Sequence, residues 1–347
     1  MRAIRSENSP IEGTKTECCL RAKLLTRIFQ RTQRPLLLEA AQDTFETFAA
    51  RRIGHSDVFW GWNGHNLLGF KTARAAGQRI LCERGSTHAA WAARRLSEVH
   101  TKLGWGRVDS SLGKRDQKAI QEYSFADKVI VPSKFVRDTF LEEGFPESSL
   151  FVNPYGIDER LWGSVDGENR ECGPLVFVCT ASMTPRKGIH ILLRAWKKAS
   201  LRNCELWLCG GLHFPLEEAG VSLDNSVKML GYTSHKDLAK VYSRASVYVL
   251  PSFEEGMARS GLEAMAAGLP MIVTKETGLT DVMEEGKHGW VVPSGDENAL
   301  ADTLKMASAD IDQIHRMGRD SRMNGLQQTK EAYGDRAAAF LKDFLNS

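Results

Sequence analysis

The chain has 347 residues, more than one compact core usually accommodates and about right for two domains of ordinary size. Its 46 Lys and Arg residues nearly balance 43 Asp and Glu residues, and this net charge of +3 argues against a dedicated nucleic-acid binder. The composition, 42% hydrophobic and 26% charged, is typical of a soluble globular protein, and no apolar run approaches the roughly 18 residues of a membrane-spanning helix.

The first ~35 residues lack a strand followed by a glycine turn, the usual opening of an α/β domain. They are polar and then form a basic amphipathic stretch at 21–34. The preferred interpretation of this stretch is a solvated helix, and the alternative is peripheral contact with an anionic membrane face. We therefore expect a first domain that is shortened at its N-terminus.

Short apolar runs alternate with amphipathic helical stretches through the rest of the chain, which predicts parallel sheets with helical crossovers. The runs are 128–132, 175–180, 205–209, 247–250 and 271–274, and the helical stretches include 189–199, 236–245, 261–267 and 298–306. We therefore expect an α/β fold with two doubly wound, Rossmann-like domains that face each other across a cleft.

The polar, glycine-containing segment 163–173 has no periodicity and predicts the linker between the two domains. We expect a first domain over 1–165 and a second domain over 172–334. A terminal helix at about 335–347 is predicted, and it could pack back on the first domain.

The most informative segment is 251–270, where a strand is followed by two acids, Gly256 and a helix beginning near Ala258. Free backbone N–H groups at a helix start form an anion site, and a glycine lets a phosphate approach the backbone closely. Glu263 lies one turn further on, among apolar residues, roughly 6 Å along the axis at 1.5 Å per residue. This spacing suits a nucleotide with its phosphates at the helix start and its ribose on Glu263.

Several segments in the same order resemble the retaining GT-B glycosyltransferases of family 4, also known as glycosyl transferases group 1. The E-x7-E pair Glu255 and Glu263 is followed by GLEAMAAGLPMIVT, and SMTPRKGIHILLRAW is similar to the segment with the family's phosphate-binding lysine, here Lys187. LWLCGG, KMLGYTSHKDLAKVYSRASVYVLPS and VMEEGKHGWVVPSGDENALA complete the resemblance, which covers about 55–347.

The resemblance implies a GT-B fold in which 1–165 is the acceptor-side domain and 172–334 is the nucleotide-sugar donor domain. It also implies transfer of a sugar from a nucleotide-diphosphate donor with retention, without a metal or other cofactor. It implies catalytic roles for Glu255, Lys187 and His88. The implied substrate-binding residues are Glu263, Gly256, Met257, Ala258, Arg259, Ser260, Ser182, Arg186, Gly210, Gly231, Tyr232, Arg84 and Gly85.

Two positions depart from the family pattern. Ser182 stands where the family usually has an arginine five residues before the lysine, and Met257-Ala258 replaces a common Phe-Gly. We hypothesise that Arg186 or Arg259 supplies the missing positive charge at the diphosphate.

Other motifs are weaker. The segment 61–65 (GWNGH) is a strand end that lines the acceptor side or forms a simple turn, and acceptor contacts are expected on loops such as 102–115. The D-x-D at 310–312 is interpreted as a surface or helix-cap feature, and seven cysteines without a C-x-x-C pair indicate no disulfide framework.

The leading function is a retaining, hexosyltransferase-type glycosyltransferase of carbohydrate biosynthesis. It would act on a glycan, lipid-linked or small-molecule hydroxyl, with a nucleotide sugar and a carbohydrate or lipid-linked acceptor as partners and no nucleic acid. The alternatives are a non-catalytic nucleotide-sugar-binding subunit or degenerate enzyme, suggested by the short N-terminus, and an epimerase or hydrolase on the same fold. We expect a cytoplasmic protein; the sugar, base, acceptor and oligomeric state stay open.

Overall fold

The computed structural model of the protein describes residues 2–4, 15–17, 24, 26, 28, 35–102, 112–165, 173–217, 220–221 and 223–347. Most of the basic stretch 21–34, linker residues 166–172 and residues 103–111 of the predicted acceptor loop lie outside the described residues. The predictions made for those segments remain predictions.

The first half of the chain contains a four-stranded sheet. Its strands are β3 (Val58–Trp62), β4 (Arg79–Glu83), β5 (Lys128–Val131) and β6 (Leu150–Val152), in the order β3-β4-β5-β6. The β3–β4 and β4–β5 pairs are parallel. The helices in this half are α1 (Pro35–Ala50), α2 (Leu67–Ala75), α3 (Ala89–Lys102), α4 (Lys114–Phe125), α5 (Lys134–Glu142) and α6 (Glu159–Trp162).

Two further short strands precede this sheet, β1 (Arg2–Ile4) and β2 (Lys15–Glu17), and they pair with each other in parallel. These two strands were not predicted from the sequence. Strands of three residues carry too few positions to show an alternating pattern, so periodicity could not reveal them.

A six-stranded parallel sheet forms the second half, in the order β12-β11-β10-β7-β8-β9. The strands are β7 (Leu175–Thr180), β8 (Cys204–Cys209), β9 (Val227–Gly231), β10 (Val247–Leu250), β11 (Met271–Thr274) and β12 (Gly289–Val292). Strands β10 and β11 are buried along their whole length and β7 along its four middle residues, and all three read as continuous apolar runs.

The helices of this half are α7 (Ile189–Ala199), α8 (His235–Arg244), α9 (Arg259–Ala266), α10 (Glu297–Ala309), α11 (Ile311–Gly325) and α12 (Lys330–Asn346). They confirm the predicted helical stretches to within a few residues. The D-x-D also lies as predicted, because Asp310 caps α11 by accepting a hydrogen bond from the Gln313 backbone N–H at 2.8 Å.

By compactness the described residues fall into two units. Unit 1 draws on Met1–Arg84, Leu112–Ile130 and Ser148–Phe151, and contains almost all of the four-stranded sheet. Unit 2 draws on Gly85–Ser111, Val131–Glu147 and Val152–Ser347, and contains the six-stranded sheet.

The terminal helix α12 packs on the segment that precedes the linker. Arg336 donates hydrogen bonds to the Asn153 side chain at 2.9 Å and to the Pro154 carbonyl at 2.7 Å, and Lys330 pairs with Asp158 at 3.2 Å. The terminal helix predicted from the sequence thus exists and is anchored by these bonds. In the described part of the chain, no helix combines the length and apolar character that crossing a bilayer requires.

The core of unit 2 should be sensitive to cavities. Leu206 in β8 is fully buried, so Leu206→Ala should lower the free energy of unfolding by about 2–5 kcal/mol through lost contacts and a residual cavity. Urea denaturation measures this. Leu345→Ala, which truncates a side chain 44% exposed on α12, is the control and should cost far less; equal losses would contradict the assigned core.

Candidate functional site

The candidate site lies where the strand order of the six-stranded sheet reverses. From the central strand β7 the chain moves outward through β8 and β9, then returns to β10 on the other side of β7 and moves outward again. The chain therefore leaves β7 and β10 toward opposite edges of the sheet. A crevice at such a switch point is where open α/β sheets bind ligands. Lys187 follows β7 and Glu255 follows β10.

The structure brings the charged residues of these two loops together. Lys187 Nζ makes an ion pair with Glu255 Oε1, and Arg186 Nη1 lies 3.6 Å from the same oxygen. Lys187 and Glu255 are largely buried, with 12% and 11% of their side chains exposed. Two cations thus converge on one carboxylate oxygen, which shows that this position favours an anion.

Close backbone contacts hold the two loops against each other. The Phe253 N–H donates to the Arg186 carbonyl at 2.8 Å. Gly188 has φ +69°, and a Cβ there would lie 2.0 Å from the Pro251 carbonyl oxygen. Only glycine fits such a position, because it combines a left-handed backbone with a contact that leaves no room for a side chain.

A third loop completes the arrangement, and sequence reasoning missed its role. Glu254, which is 3% exposed, accepts hydrogen bonds from the hydroxyls of Ser86 and Thr87 at 2.9 and 2.7 Å, and it pairs with Arg186 at 2.9 Å. The sequence did show two consecutive acids, Glu254 and Glu255, before a glycine. It did not show that Glu254 is buried or what it binds. We call loops 85–88, 185–188 and 251–256 the three-loop cluster.

Helix α9 begins directly after this cluster. Its first N–H groups, at Arg259 and Ser260, precede the first intrahelical hydrogen bonds, as at any helix start. Just before them, a Cβ on Gly256 would lie 2.0 Å from the Gly85 carbonyl oxygen, so these two backbones are in contact. The Ala258 N–H donates to the Thr277 carbonyl at 2.9 Å, which fixes the entry to the helix.

Ser260 lies at the helix start, as predicted, with its hydroxyl bonded inside the protein. Its Oγ donates to the Thr180 carbonyl at 3.0 Å and lies 2.8 Å from the Tyr248 hydroxyl. The Tyr242 hydroxyl donates to the Ser260 carbonyl at 3.0 Å. These bonds tie the start of α9 to the ends of β7 and β10.

Glu263 is buried on α9, one turn after the helix start, and only 7% of the residue is exposed. Its Oε1 lies 3.6 Å from Nε2 of the exposed His235. Burial raises the pKa of Glu263 to about 7, although Arg259 and Lys330 oppose the shift. A carboxylate so poorly solvated favours a ligand that brings hydrogen-bond donors, such as sugar hydroxyls.

The electrostatics of the ion pairs follow from the same burial. Burial, reinforced by the charge of Arg186, lowers the pKa of Lys187 to about 7, against the opposing charge of Glu254. Burial disfavours the charged form of Glu254 as well, but the charge of Arg186 and the hydroxyl donors outweigh it and hold the pKa of Glu254 below its usual value. Glu254 is therefore ionised at neutral pH.

His88 and Arg84 lie at the end of β4. His88 is 4% exposed, and its ring packs edge-on against Phe140 at 5.1 Å and lies 4.0 Å from Glu143. Arg84, in unit 1, donates to the Asn63 side chain at 2.7 Å. Their assigned roles in catalysis and substrate binding stay predictions.

The remaining predicted residues follow strands or flank the start of α9. Gly210 has φ +142°, and its N–H donates to the carbonyl of Gly231, which has φ +67°. Tyr232 is 90% exposed and Ser182 is exposed, whereas Met257 is 4% exposed and Arg259 is exposed. Within the described ranges no group of three or more His, Cys, Asp and Glu side chains is arranged to hold a metal ion; the expectation that none is needed stays a prediction.

The contact between Gly256 and Gly85 can be tested directly. Gly256→Ala places a methyl group into the Gly85 carbonyl, so it should lower the thermal unfolding temperature and separate the two loops. Gly334→Ala in α12 is the matched control: its Cβ meets nothing within 4 Å, and the helix should gain about 0.5–1 kcal/mol. Equal stability of the two variants would contradict the packed cluster.

The raised pKa of Glu263 predicts a pH-dependent stability. The folded protein binds this proton up to about pH 7 while the unfolded chain releases it near 4.5, so stability falls as pH rises through that interval, by at most about 3 kcal/mol. Denaturant titrations at pH 5 and pH 8 should show that Glu263→Gln gains stability relative to the wild type between the two pH values. The comparison is needed because the lowered pKa values of His190 and Lys187 make stability rise with pH in both proteins. Identical pH dependence of the two proteins would refute the shift.

The chain is similar to known proteins over most of its length. The family model described as Glycosyl transferases group 1 matches residues 174–310. The amylovoran biosynthesis glycosyltransferase AmsK of Erwinia amylovora is 27% identical over 202 residues, which are 54% of this chain and 49% of that protein. The chain spans about half the length of the curated relatives it matches.

Solved structures share the fold. Sucrose-phosphate synthase from Thermosynechococcus elongatus has a TM-score of 0.66 at 21% identity and covers 90% of this chain and 79% of its own. Anabaena HepE, in complex with UDP and glucose, has a TM-score of 0.67 at 18% identity and covers 87% and 81%. The predicted GT-B fold class, with two parallel α/β sheets, is confirmed. The resemblance to the glycosyl transferases group 1 family is thus confirmed over residues 174–310, which match its model.

Proposed function

We propose that the protein is a retaining glycosyltransferase whose second half binds a nucleotide-diphosphate sugar and transfers the sugar to an acceptor hydroxyl. The observation that carries the proposal is the convergence of Lys187 and Arg186 on the Glu255 carboxylate at the switch point of the sheet. The Glu255 carboxylate already occupies the place beside these two cations, and a departing diphosphate in that place would be stabilised by the same positive charge.

The diphosphate would take over the cations that Glu255 holds in the absence of ligand. Lys187 then stabilises the charge that builds on the leaving diphosphate. The nearby start of α9 contributes N–H groups that precede its first intrahelical hydrogen bonds. Binding of the diphosphate also raises the pKa of Lys187 from about 7, since an added negative charge favours the ammonium form.

Arg186 is the better of the two candidates for the charge missing at Ser182. Its guanidinium lies 3.6 Å from the Glu255 carboxylate, next to Lys187. Arg259 lies at the first position of α9, where its charge opposes the rise in the pKa of Glu263 that burial causes. We assign Arg186 to the diphosphate and Arg259 to the edge of the site.

The two glutamates of the E-x7-E pair would bind the two ends of the donor. Once the diphosphate has displaced it from Lys187, Glu255 accepts hydrogen bonds from the donor sugar hydroxyls. Glu263, a turn along α9, accepts from the ribose hydroxyls, which relieves its poor solvation. Gly210, Gly231 and the exposed Tyr232 would lie along the base.

The proposed reaction needs no side-chain base. The acceptor hydroxyl attacks the anomeric carbon on the face from which the phosphate leaves, and the leaving phosphate oxygen takes the hydroxyl proton. The C–O bond to phosphate breaks as the new glycosidic bond forms. Electrostatic stabilisation of the diphosphate is then the main contribution to catalysis, with His88 at the donor sugar and no metal.

The relatives indicate which ligands to try first. HepE was solved with UDP and glucose, and AmsK is named for amylovoran biosynthesis. We therefore propose a UDP-sugar as the first donor to test and a carbohydrate acceptor, free or lipid-linked. Thermal stabilisation by a panel of UDP-, GDP-, ADP- and dTDP-sugars identifies the donor, and failure of every one would overturn the proposal.

Transfer should depend on both members of the central ion pair. Lys187→Ala and Glu255→Ala should each lower kcat at least about a hundredfold, because each removes a charge needed at the reacting centre. A radiolabelled sugar and chromatography of the product measure turnover and separate transfer from hydrolysis or epimerisation. Lys305→Ala, which removes an exposed lysine paired with Asp302 on α10, is the control and should keep wild-type turnover.

The two arginines can be separated by their effect on diphosphate binding. Arg186→Gln should weaken binding of the nucleoside diphosphate about tenfold or more, as expected for loss of a charged hydrogen bond, and Arg259→Gln should have a smaller effect. Isothermal titration calorimetry measures both. The reverse order would move the role to Arg259.

A further inference from the structure

Glu254 is the one buried carboxylate of the three-loop cluster to which the proposed reaction gives no task. Its two oxygens have different partners. Oε1 accepts from the Ser86 hydroxyl at 2.9 Å and from the Thr87 hydroxyl and N–H at 2.7 and 3.4 Å, whereas Oε2 accepts from Arg186 Nη1 at 2.9 Å. One side chain therefore bridges two loops that are far apart in the sequence.

Arg186 is anchored at one end of its guanidinium. Its Nη1 donates to both the Oε2 and the backbone carbonyl of Glu254, at 2.9 and 2.8 Å. The side chain remains 34% exposed. Because a guanidinium carries five N–H donors in a planar fork, anchoring one nitrogen fixes the plane and leaves donors for a second acceptor.

Burying the Glu254 carboxylate, which is 3% exposed, costs free energy that an apolar side chain of similar volume would not cost. The donors on Glu254 offset that cost, and its charge restrains a cation that would otherwise be a long, mobile side chain at the diphosphate position. The next residue in each loop repeats the pairing, Glu254 with Arg186 and Glu255 with Lys187. In the proposed function the diphosphate replaces Glu255 at Lys187, whereas the pair between Glu254 and Arg186 would be retained.

We propose that Glu254 is a positioning residue for donor binding: it holds the Arg186 guanidinium in the orientation that receives the diphosphate and ties the Ser86–Thr87 turn to the same loops. This inference rests on the proposed function, because the proposed function identifies the diphosphate as the anion that Arg186 binds. Glu254 acts through Arg186 and does not touch the donor itself.

A double-mutant cycle tests the proposal. The proteins are wild type, Glu254→Gln, Arg186→Gln and the double variant, and the measurement is calorimetric affinity for UDP, GDP and ADP, with the matching nucleosides as probes that lack the diphosphate. Glu254→Gln should weaken binding of the diphosphate about tenfold and leave nucleoside binding unchanged. The double variant should bind no more weakly than Arg186→Gln alone, since Glu254 acts through Arg186.

Two controls separate positioning from loss of stability. Asp127→Asn removes the carboxylate of another arginine pair, Arg74 with Asp127 at 2.9 Å in unit 1, and should lower stability without changing diphosphate affinity. Glu254→Asp keeps the charge but shortens the side chain. It should fold even if Glu254→Gln does not, and it should still bind the diphosphate more weakly than wild type.

Each outcome has a distinct meaning. Unchanged or tighter diphosphate binding by folded Glu254→Gln or Glu254→Asp overturns the positioning role, as do effects of Glu254→Gln and Arg186→Gln that multiply in the double variant. In those cases wild type still binds, and the proposed function stands. If wild type binds none of the three diphosphates, the proposed function itself fails and the role of Glu254 fails with it.

Discussion

Two consecutive carboxylates face two consecutive cations at the reversal point of the larger sheet, and the candidate site depends on this double pairing. Glu254 and Glu255 meet Arg186 and Lys187 with most of all four side chains removed from water. Burying such charges is tolerable only when each has a partner. The pairing therefore fixes the two loops relative to each other, and in the proposed function a ligand diphosphate takes the place of Glu255 at Lys187.

Glycine makes this pairing geometrically feasible. Gly188 and Gly256 each stand where a Cβ would lie 2.0 Å from a carbonyl oxygen of another loop. Backbones in such contact bring the charged side chains of neighbouring residues within reach of each other. The arrangement is also rigid, because the start of α9 is tied to β7 and β10 through the Ser260 bonds to Thr180 and Tyr248. In the proposed function, these fixed groups would stabilise a departing anion once the diphosphate has displaced Glu255 from Lys187.

Much of the second half could be predicted from its sequence because its signals are local. Buried central strands such as Leu175–Thr180 and Met271–Thr274 read as continuous apolar runs, and α9 was recognisable from Glu263 standing among apolar residues. The burial of Glu254, in contrast, is set by Ser86 and Thr87, which lie 168 and 167 positions earlier in the chain. No local pattern reports such a partner. The strands Arg2–Ile4 and Lys15–Glu17 were missed for the opposite reason, because three residues are too few to carry a pattern.

A crystal structure of the protein with a bound nucleoside diphosphate tests the central claim most directly. The account predicts diphosphate oxygens within hydrogen-bond distance of Lys187 Nζ and the Arg186 guanidinium, beside the first N–H groups of α9, with the ribose at Glu263 and the Lys187–Glu255 contact broken. Diphosphate density elsewhere, with Lys187 still paired to Glu255, would contradict it.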